Sequence, residues 1–252
     1  MNAEKGGLSE IRKTKRYTMN KNIDNNSDGH AGPGGLQLAE FLAEKMAIKS
    51  NKKLIDIGFH RGHQTCFLAK EYGVSIVGID PGGTIGGDDY DIEPLMENAR
   101  KIGVEDKILG IEVGVPNTLL PNNYFDYAYV TTCLEMIRQY QGFEGYIAAL
   151  KEIHRIIKGR AILGLAEPMC MDMPIPDCCK KHNFDKCFVT AEVTRKAVSD
   201  AGFTIIESGY CEDSGEWWLE HGATSDDPNY QKDIELMVDS GWLSFGYVLA
   251  RK

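Results

Sequence analysis

One stretch of the chain, Lys53-Leu54-Ile55-Asp56-Ile57-Gly58-Phe59-His60-Arg61-Gly62-His63-Gln64, concentrates residues that can do chemistry. An apolar run, a glycine-containing turn and a polar helix start are how open α/β sheets bring backbone N–H groups up to a polar ligand. Downstream, Val74-Ser75-Ile76-Val77-Gly78-Ile79-Asp80 reads as a second buried strand. A carboxylate at its end, Asp80, can accept from both hydroxyls of a ribose, so the pair of segments points to a nucleoside cofactor. A nicotinamide dinucleotide site would need glycines at positions 58, 60 and 63, and two of these are His60 and His63. Those two histidines flank Arg61; they could ligate a metal, transfer protons or bind the carboxylate of an amino-acid tail. Two histidines with no third ligand nearby are a weak zinc signal, and no metal is assigned.

Written out, KKLIDIGFHRGHQTCFLAKEYGVSIVGIDP resembles the first two motifs of the class I S-adenosylmethionine-dependent methyltransferases, in particular their small-molecule, ubiquinone-biosynthesis-like branch. That family places Asp-x-Gly-x-Gly-x-Gly here. The chain supplies Asp56, Gly58 and Gly62 but puts His60 in the middle glycine's place. Glycines in such a turn permit positive φ and close ligand approach, so the imidazole must swing away or occupy part of the pocket. The resemblance implies S-adenosylmethionine as cofactor, with Asp56, Gly58, His60, Gly62, Gln64 and Asp80 around it. It also implies an adenine-facing segment after the third strand, which falls on Val113 and Gly114, where the family's acidic residue is absent. Phe125-Asp126-Tyr127-Ala128-Tyr129-Val130 resembles the fourth motif and leads to Thr131 at the pocket end.

The sulfonium methyl of such a cofactor is already activated, so the protein's task is to align a small-molecule acceptor and exclude water. Where the acceptor must lose a proton, Glu135, His182 and His221 are candidate bases. Glu216-Trp217-Trp218-Leu219-Glu220-His221 resembles a Trp-rich segment of the family, and Trp217 and Trp218 are expected to wall the acceptor site. Cys170, Cys178, Cys179 and Cys187 crowd the segment MCMDMPIPDCCKKHNFDKC with His182. They match no common zinc spacing, and either bind a soft thiophilic acceptor such as a metalloid or are small buried residues. A further alternative is a methyltransferase-like fold, non-catalytic or holding an altered ligand, serving as sensor or subunit.

To position these groups the chain must alternate strand and helix, as a parallel sheet requires. Strands are expected near 53–57, 74–79, 107–113, 124–131 and 160–166, with helices near 36–46, 63–72, 92–102 and 142–158. A helix capped at Thr190 and ended by Gly202 follows, then strands near 203–210 and 242–250. With these elements the resemblance implies a Rossmann-like, doubly wound seven-stranded sheet, mostly parallel with an antiparallel edge and helices on both faces. Residues 31–252 are expected to form one domain with cap excursions at 168–189 and 211–241, preceded by a polar arm at 1–30. Gly82-Gly83-Thr84-Ile85-Gly86-Gly87-Asp88-Asp89 is an insertion that could be a lid or a plain loop.

At 252 residues, 42% hydrophobic and 26% charged, the chain can bury a sizeable sheet. A formal charge of −9 leaves no footprint for nucleic acid or an anionic membrane. No apolar run reaches the roughly 20 residues that span a bilayer, and the first residues lack a signal-peptide core. With seven cysteines, most of them scattered singly, a reducing, cytoplasmic setting is expected. Oligomeric state carries no signal.

Overall fold

The computed structural model describes residues 32–85 and 88–252. Strand β1 (Lys53–Ile57) is followed by α2 (His63–Tyr72) and β2 (Ser75–Asp80), with α1 (Gly35–Lys45) ahead of them. A short hairpin, β3 (Gly83–Ile85) and β4 (Asp88–Tyr90), leads to α3 (Glu93–Ile102), β5 (Ile108–Glu112) and β6 (Phe125–Thr131). Helix α4 (Leu134–Ile156) and β7 (Ile157–Cys170) come next. The chain closes with α5 (Asp177–Lys181), α6 (Phe184–Cys187), α7 (Ala191–Asp200), β8 (Thr204–Tyr210), α8 (Ser214–Ala223), α9 (Pro228–Asp239) and β9 (Leu243–Arg251).

Seven strands form one sheet in the order β5-β2-β1-β6-β7-β9-β8. Pairing is parallel from β5 to β7, and β9 runs antiparallel to both β7 and the edge strand β8. Because successive strand side chains point to opposite faces, each strand feeds two cores. Leu54, Ile76, Tyr127 and Tyr129 pack with α1, α2 and α3 through Leu38, Leu42, Phe67 and Leu95. Ile55, Ile57, Ala128 and Val130 pack on the other face with α4 and α7 through Tyr146, Leu150, Ile153 and Val198. This double burial explains the near-continuous apolar runs of the strands.

The strand order turns back between β1 and β6, since β2 lies on one side of β1 and β6 on the other. At such a switch point the loops leaving the strand ends diverge and open a crevice.

The expected fold class, the helix at 63–72 and the Thr190 cap agree with the structure; the Thr190 hydroxyl accepts from the Val193 N–H at 3.4 Å. Two elements differ. Helix α4 begins eight residues before Gly142, where the sequence placed its start, and Gly142 is a kink inside it (φ 68°, ψ −171°). The stretch before the kink is helical because Leu134 and Arg138, four apart, share one buried face. Strand β7 runs to Cys170, past the expected end at 166, because its far half pairs with β9 from Ala166–Tyr247 to Cys170–Leu243. It thereby takes over the first residues of the excursion at 168–189. The rest of that excursion holds α5 and α6, and the excursion at 211–241 holds α8 and α9. The arm expected at 1–30 lies outside the described residues, as do Gly86 and Gly87 of the insertion. No helix among the described residues is long and apolar enough to cross a membrane.

Candidate active site

A cavity of about 770 Å³ opens at the switch point. Its floor comes from the ends of β1, β2, β6 and β7, through Asp56, Ile57, Ile79, Asp80, Thr131 and Pro168. The turn from Gly58 to Gln64 forms one side, Glu135 and Met136 at the start of α4 another, and His182, Phe184, Phe188, Trp218, His221 and Tyr230 form the roof.

The β1–α2 turn is strapped to β2. The Gly58 N–H donates to the Ile79 carbonyl at 2.8 Å, and Asp80 accepts the His60 N–H at 2.9 Å and the Gly82 N–H at 3.0 Å. Each Asp80 oxygen therefore carries one backbone bond and keeps capacity for another. Gly58 stands at φ 83°, and a Cβ there would meet the Cys133 sulfur at 2.6 Å; only glycine fits. Gly62, at φ 77°, is closed in the same way by Leu95. His60 also adopts the left-handed conformation, at φ 49°. The chain thus keeps a glycine-like backbone at the position where the resembling family has glycine, at a cost of about 1–2 kcal/mol for an L-residue. Its imidazole borders the cavity rather than swinging away.

Asp56 lies beneath this turn, 3% exposed, with the Thr65 hydroxyl donating to it at 2.6 Å. Burial, reinforced by the nearby Asp80 charge, pushes its carboxyl up to about 7 against the opposing hydroxyl bond. Gln64 borders the cavity but its amide is largely spent on the fold. Its carbonyl accepts from the Tyr129 and Thr131 hydroxyls at 2.9 and 2.6 Å, and its amide donates to the Gly35 carbonyl at 2.7 Å. It ties α1 to the end of β6.

Two expected site residues sit elsewhere. Val113 packs against the core beside α4, its N–H on the Ile111 carbonyl, while Gly114, as expected, and Val115 border the cavity. Trp217 is buried on the α1 side, its indole N–H donating to the Gln37 carbonyl oxygen at 3.0 Å and its ring against Phe41 and Phe245. Successive helical residues point about 100° apart, so only one of the adjacent tryptophans can face the cavity, and that one is Trp218.

All three candidate bases border the cavity. His182 Nε2 lies 2.7 Å from an Asp233 carboxylate oxygen, and its ring packs against Phe184 and edge-on to Tyr230. A carboxylate behind an imidazole sets its tautomer and orientation, the arrangement a general base requires. His221 stands edge-on to Trp218. Glu135 is 4% exposed, and burial plus the neighbouring Glu167 push its carboxyl up to about 8, against Arg138 and backbone N–H donors. Glu167, fully buried, accepts from Arg138 at 3.0 Å, Tyr146 at 3.1 Å and Thr194 at 3.0 Å.

Cys178 and Cys179 of the excursion interact through their side chains, and Cys170 lies near enough to act on Cys179. Among the described residues no three His, Cys, Asp or Glu side chains gather as metal ligands. Burial pushes the Cys179 and Cys187 thiols up to about 12 and raises Cys170. They are protonated, packed groups rather than thiolates. Sequence reading missed Cys133, Phe184, Phe188, Tyr230 and Asp233. The four-residue spacing of Phe184 and Phe188 was a usable signal for one aromatic helical face; Tyr230 and Asp233 offered none.

No family model matches the chain. Part of it is similar to the sterol 24-C-methyltransferase erg6 of Aspergillus fumigatus, 26% identical over 132 residues, 52% of this chain and 32% of that protein. The chain thus matches about a third of that curated relative. Its fold is similar to that of the cyclase SpnF, with TM-score 0.70 and 18% identity over 90% of this chain and 85% of that one. It is likewise similar to Haemonchus contortus phosphoethanolamine N-methyltransferase 2 in complex with S-adenosyl-L-methionine, with TM-score 0.71 and 15% identity over 90% of this chain and 54% of that one. The chain therefore has the Rossmann-like fold shared with S-adenosylmethionine-dependent methyltransferases.

Proposed function

We propose that the protein transfers a methyl group from S-adenosylmethionine to a small-molecule acceptor held beneath the excursions at 168–189 and 211–241, which act as its cap. The observation that carries this reading is one cavity joining two different chemistries. Its sheet end offers a glycine cradle and Asp80, and its roof offers oriented proton acceptors among aromatic walls.

The residues present fit the cofactor. Asp80 keeps acceptor capacity for two ribose hydroxyls, and the Gly58 cradle, where a Cβ would strike Cys133, lets the turn approach without a side chain. Pro81, Gly114 and Val115 would face the adenine with apolar surface and backbone groups, replacing the acidic reader that the chain lacks. His60, Arg61 and Thr131 would surround the amino-acid end. The bound cofactor supplies an electrophilic methyl carbon, and the remaining work belongs to the chain. Phe184, Phe188 and Trp218 exclude water, and Glu135 or the Asp233-oriented His182 takes up a proton the acceptor must lose.

The seven unpaired cysteines suit a reducing compartment and support a cytoplasmic setting. A second reading, an altered ligand in the same fold, is favoured by His60 in the place of glycine and by the likeness to a cyclase. Calorimetry with S-adenosylmethionine and S-adenosylhomocysteine separates the two. Micromolar binding that Asp80→Ala abolishes supports methyl transfer. No binding to the native chain, with tight binding restored by His60→Gly, would mark the site as repurposed.

A further inference from the structure

Three carboxylates border the cavity, and each takes donors from the protein. Asp80 is held by two backbone N–H groups and Asp56 by Thr65. Glu135 differs: its Oε2 is buried and has no hydrogen-bond partner, although the side chain lines the cavity. The nearest cation cannot serve it. Arg138 spends Nη1 on Glu167 and directs Nε and Nη2 to the Cys187 carbonyl at 2.8 and 2.5 Å.

A buried acceptor atom without a donor is a costly arrangement that a ligand can relieve. Aromatic rings line the same cavity. Phe184 and Phe188 stack at 4.7 Å between centroids, with Trp218 at 6.2 and 5.9 Å from them. Phe184 and Phe188 turn a face to each other and supply apolar wall, while an indole such as Trp218 attracts cations at its face. A carboxylate and ring faces together describe a site for an ammonium group on a small apolar or aromatic skeleton.

Building on the methyl-transfer reading, we infer that the acceptor atom is an amine nitrogen, bound as ammonium between Glu135 and the aromatic wall of Phe184, Phe188 and Trp218. One ammonium N–H donates to Glu135 Oε2 and its proton passes to that oxygen, leaving the nitrogen lone pair. The N–C bond then forms as the S–C bond breaks, and that bond's electron pair stays on sulfur. The product leaves as a methylated ammonium ion, and Glu135 returns its proton to water.

The groups facing Glu135 set its charge. Glu167 on β7 repels it and Arg138 on α4 attracts it, while Tyr146 on α4, Cys133 at the head of α4 and Cys187 on α6 are held uncharged by burial. Empty, Glu135 therefore keeps its proton at pH 7, and an arriving ammonium displaces it.

The test is calorimetry at pH 7 with saturating S-adenosylhomocysteine and three probes of one shape: benzylamine, benzyl alcohol and benzoate. Benzylamine should bind about tenfold or more tighter than the alcohol, benzoate weakest, as a charge-assisted bond to a buried carboxylate predicts. In two buffers of different ionisation enthalpy, benzylamine binding should release about one proton. Glu135→Gln should remove both the preference and the proton release while keeping S-adenosylhomocysteine affinity. Trp218→Leu, which leaves the carboxylate in place, should weaken benzylamine several-fold. Equal binding of amine and alcohol, or a preference that survives in Glu135→Gln, overturns the inference. If S-adenosylhomocysteine itself does not bind, the methyl-transfer reading falls. The amine preference is then decided on the protein alone by the same titration.

Discussion

Replacing Asp56 by asparagine should stabilise the protein at high pH and not at low pH. In the unfolded chain Asp56 ionises near its ordinary value of 3.8, whereas in the fold burial beneath the β1–α2 turn holds it up to about 7. Between those values the native state binds a proton that the unfolded state has lost, so stability falls as pH rises and levels off above pH 7. Each pH unit in that window is worth about 1.4 kcal/mol, so the two units from pH 5 to pH 7 amount to about 3 kcal/mol. Asparagine mimics the protonated acid and can still accept the Thr65 hydroxyl, so it escapes this loss. Glu135 titrates with the same sign but is common to both proteins, and its contribution cancels in the difference. Urea unfolding of both proteins at pH 5 and pH 8 measures the quantity directly. The stability of Asp56→Asn minus that of the native protein should increase by about 3 kcal/mol between the two pH values. A difference that is flat with pH, or that moves the other way, refutes the reasoning.

Arg138→Met should destabilise the fold by about 3–5 kcal/mol, because it leaves the buried Glu167 carboxylate without its cation and the Cys187 carbonyl without its donors. Denaturant unfolding at pH 7 reads this, and a loss under about 1 kcal/mol would mean that Tyr146 and Thr194 suffice. Gly58→Ala should weaken S-adenosylhomocysteine binding by about tenfold or more, since the turn must retreat from Cys133. Adding Cys133→Gly removes the atoms struck and should recover part of that affinity. Strict additivity of the two changes in a double-mutant cycle would deny the contact.

The carboxyls at Asp56, Glu135 and Glu167 mark how the fold concentrates cost near the cavity. All three are buried, and two depend on particular neighbours from other elements: Asp56 on Thr65 of α2, and Glu167 on Arg138 of α4 and Thr194 of α7. Such groups tie the cavity's shape to the packing of helices on both sheet faces. A site whose charges rest on the scaffold in this way is pre-organised, with little left for a ligand to rearrange.

What the sequence alone determined is the sheet and its ligand-facing turn. Apolar runs buried on both faces announced β1, β2 and β6, and Gly58, Gly62 and Asp80 were legible because local backbone demands tie those residue types to a strand end. The same logic placed Thr190 as a cap, while the antiparallel edge followed from the family resemblance. What only the tertiary structure decided depends on which side of an element a residue faces and on what meets it from far along the chain. Trp217 and Trp218 are adjacent and equal in composition, and packing against α1 alone sends the first into the core. Val113 and Val115 both pack against the α4-side core, and of the two only Val115 also borders the cavity. Asp233 stands behind His182 across 51 residues, and Arg138 bonds the Cys187 carbonyl across 49; no local pattern encodes such distances. Period and propensity are local properties, whereas the donors left to a buried carboxylate such as Glu135 exist only once the elements have packed.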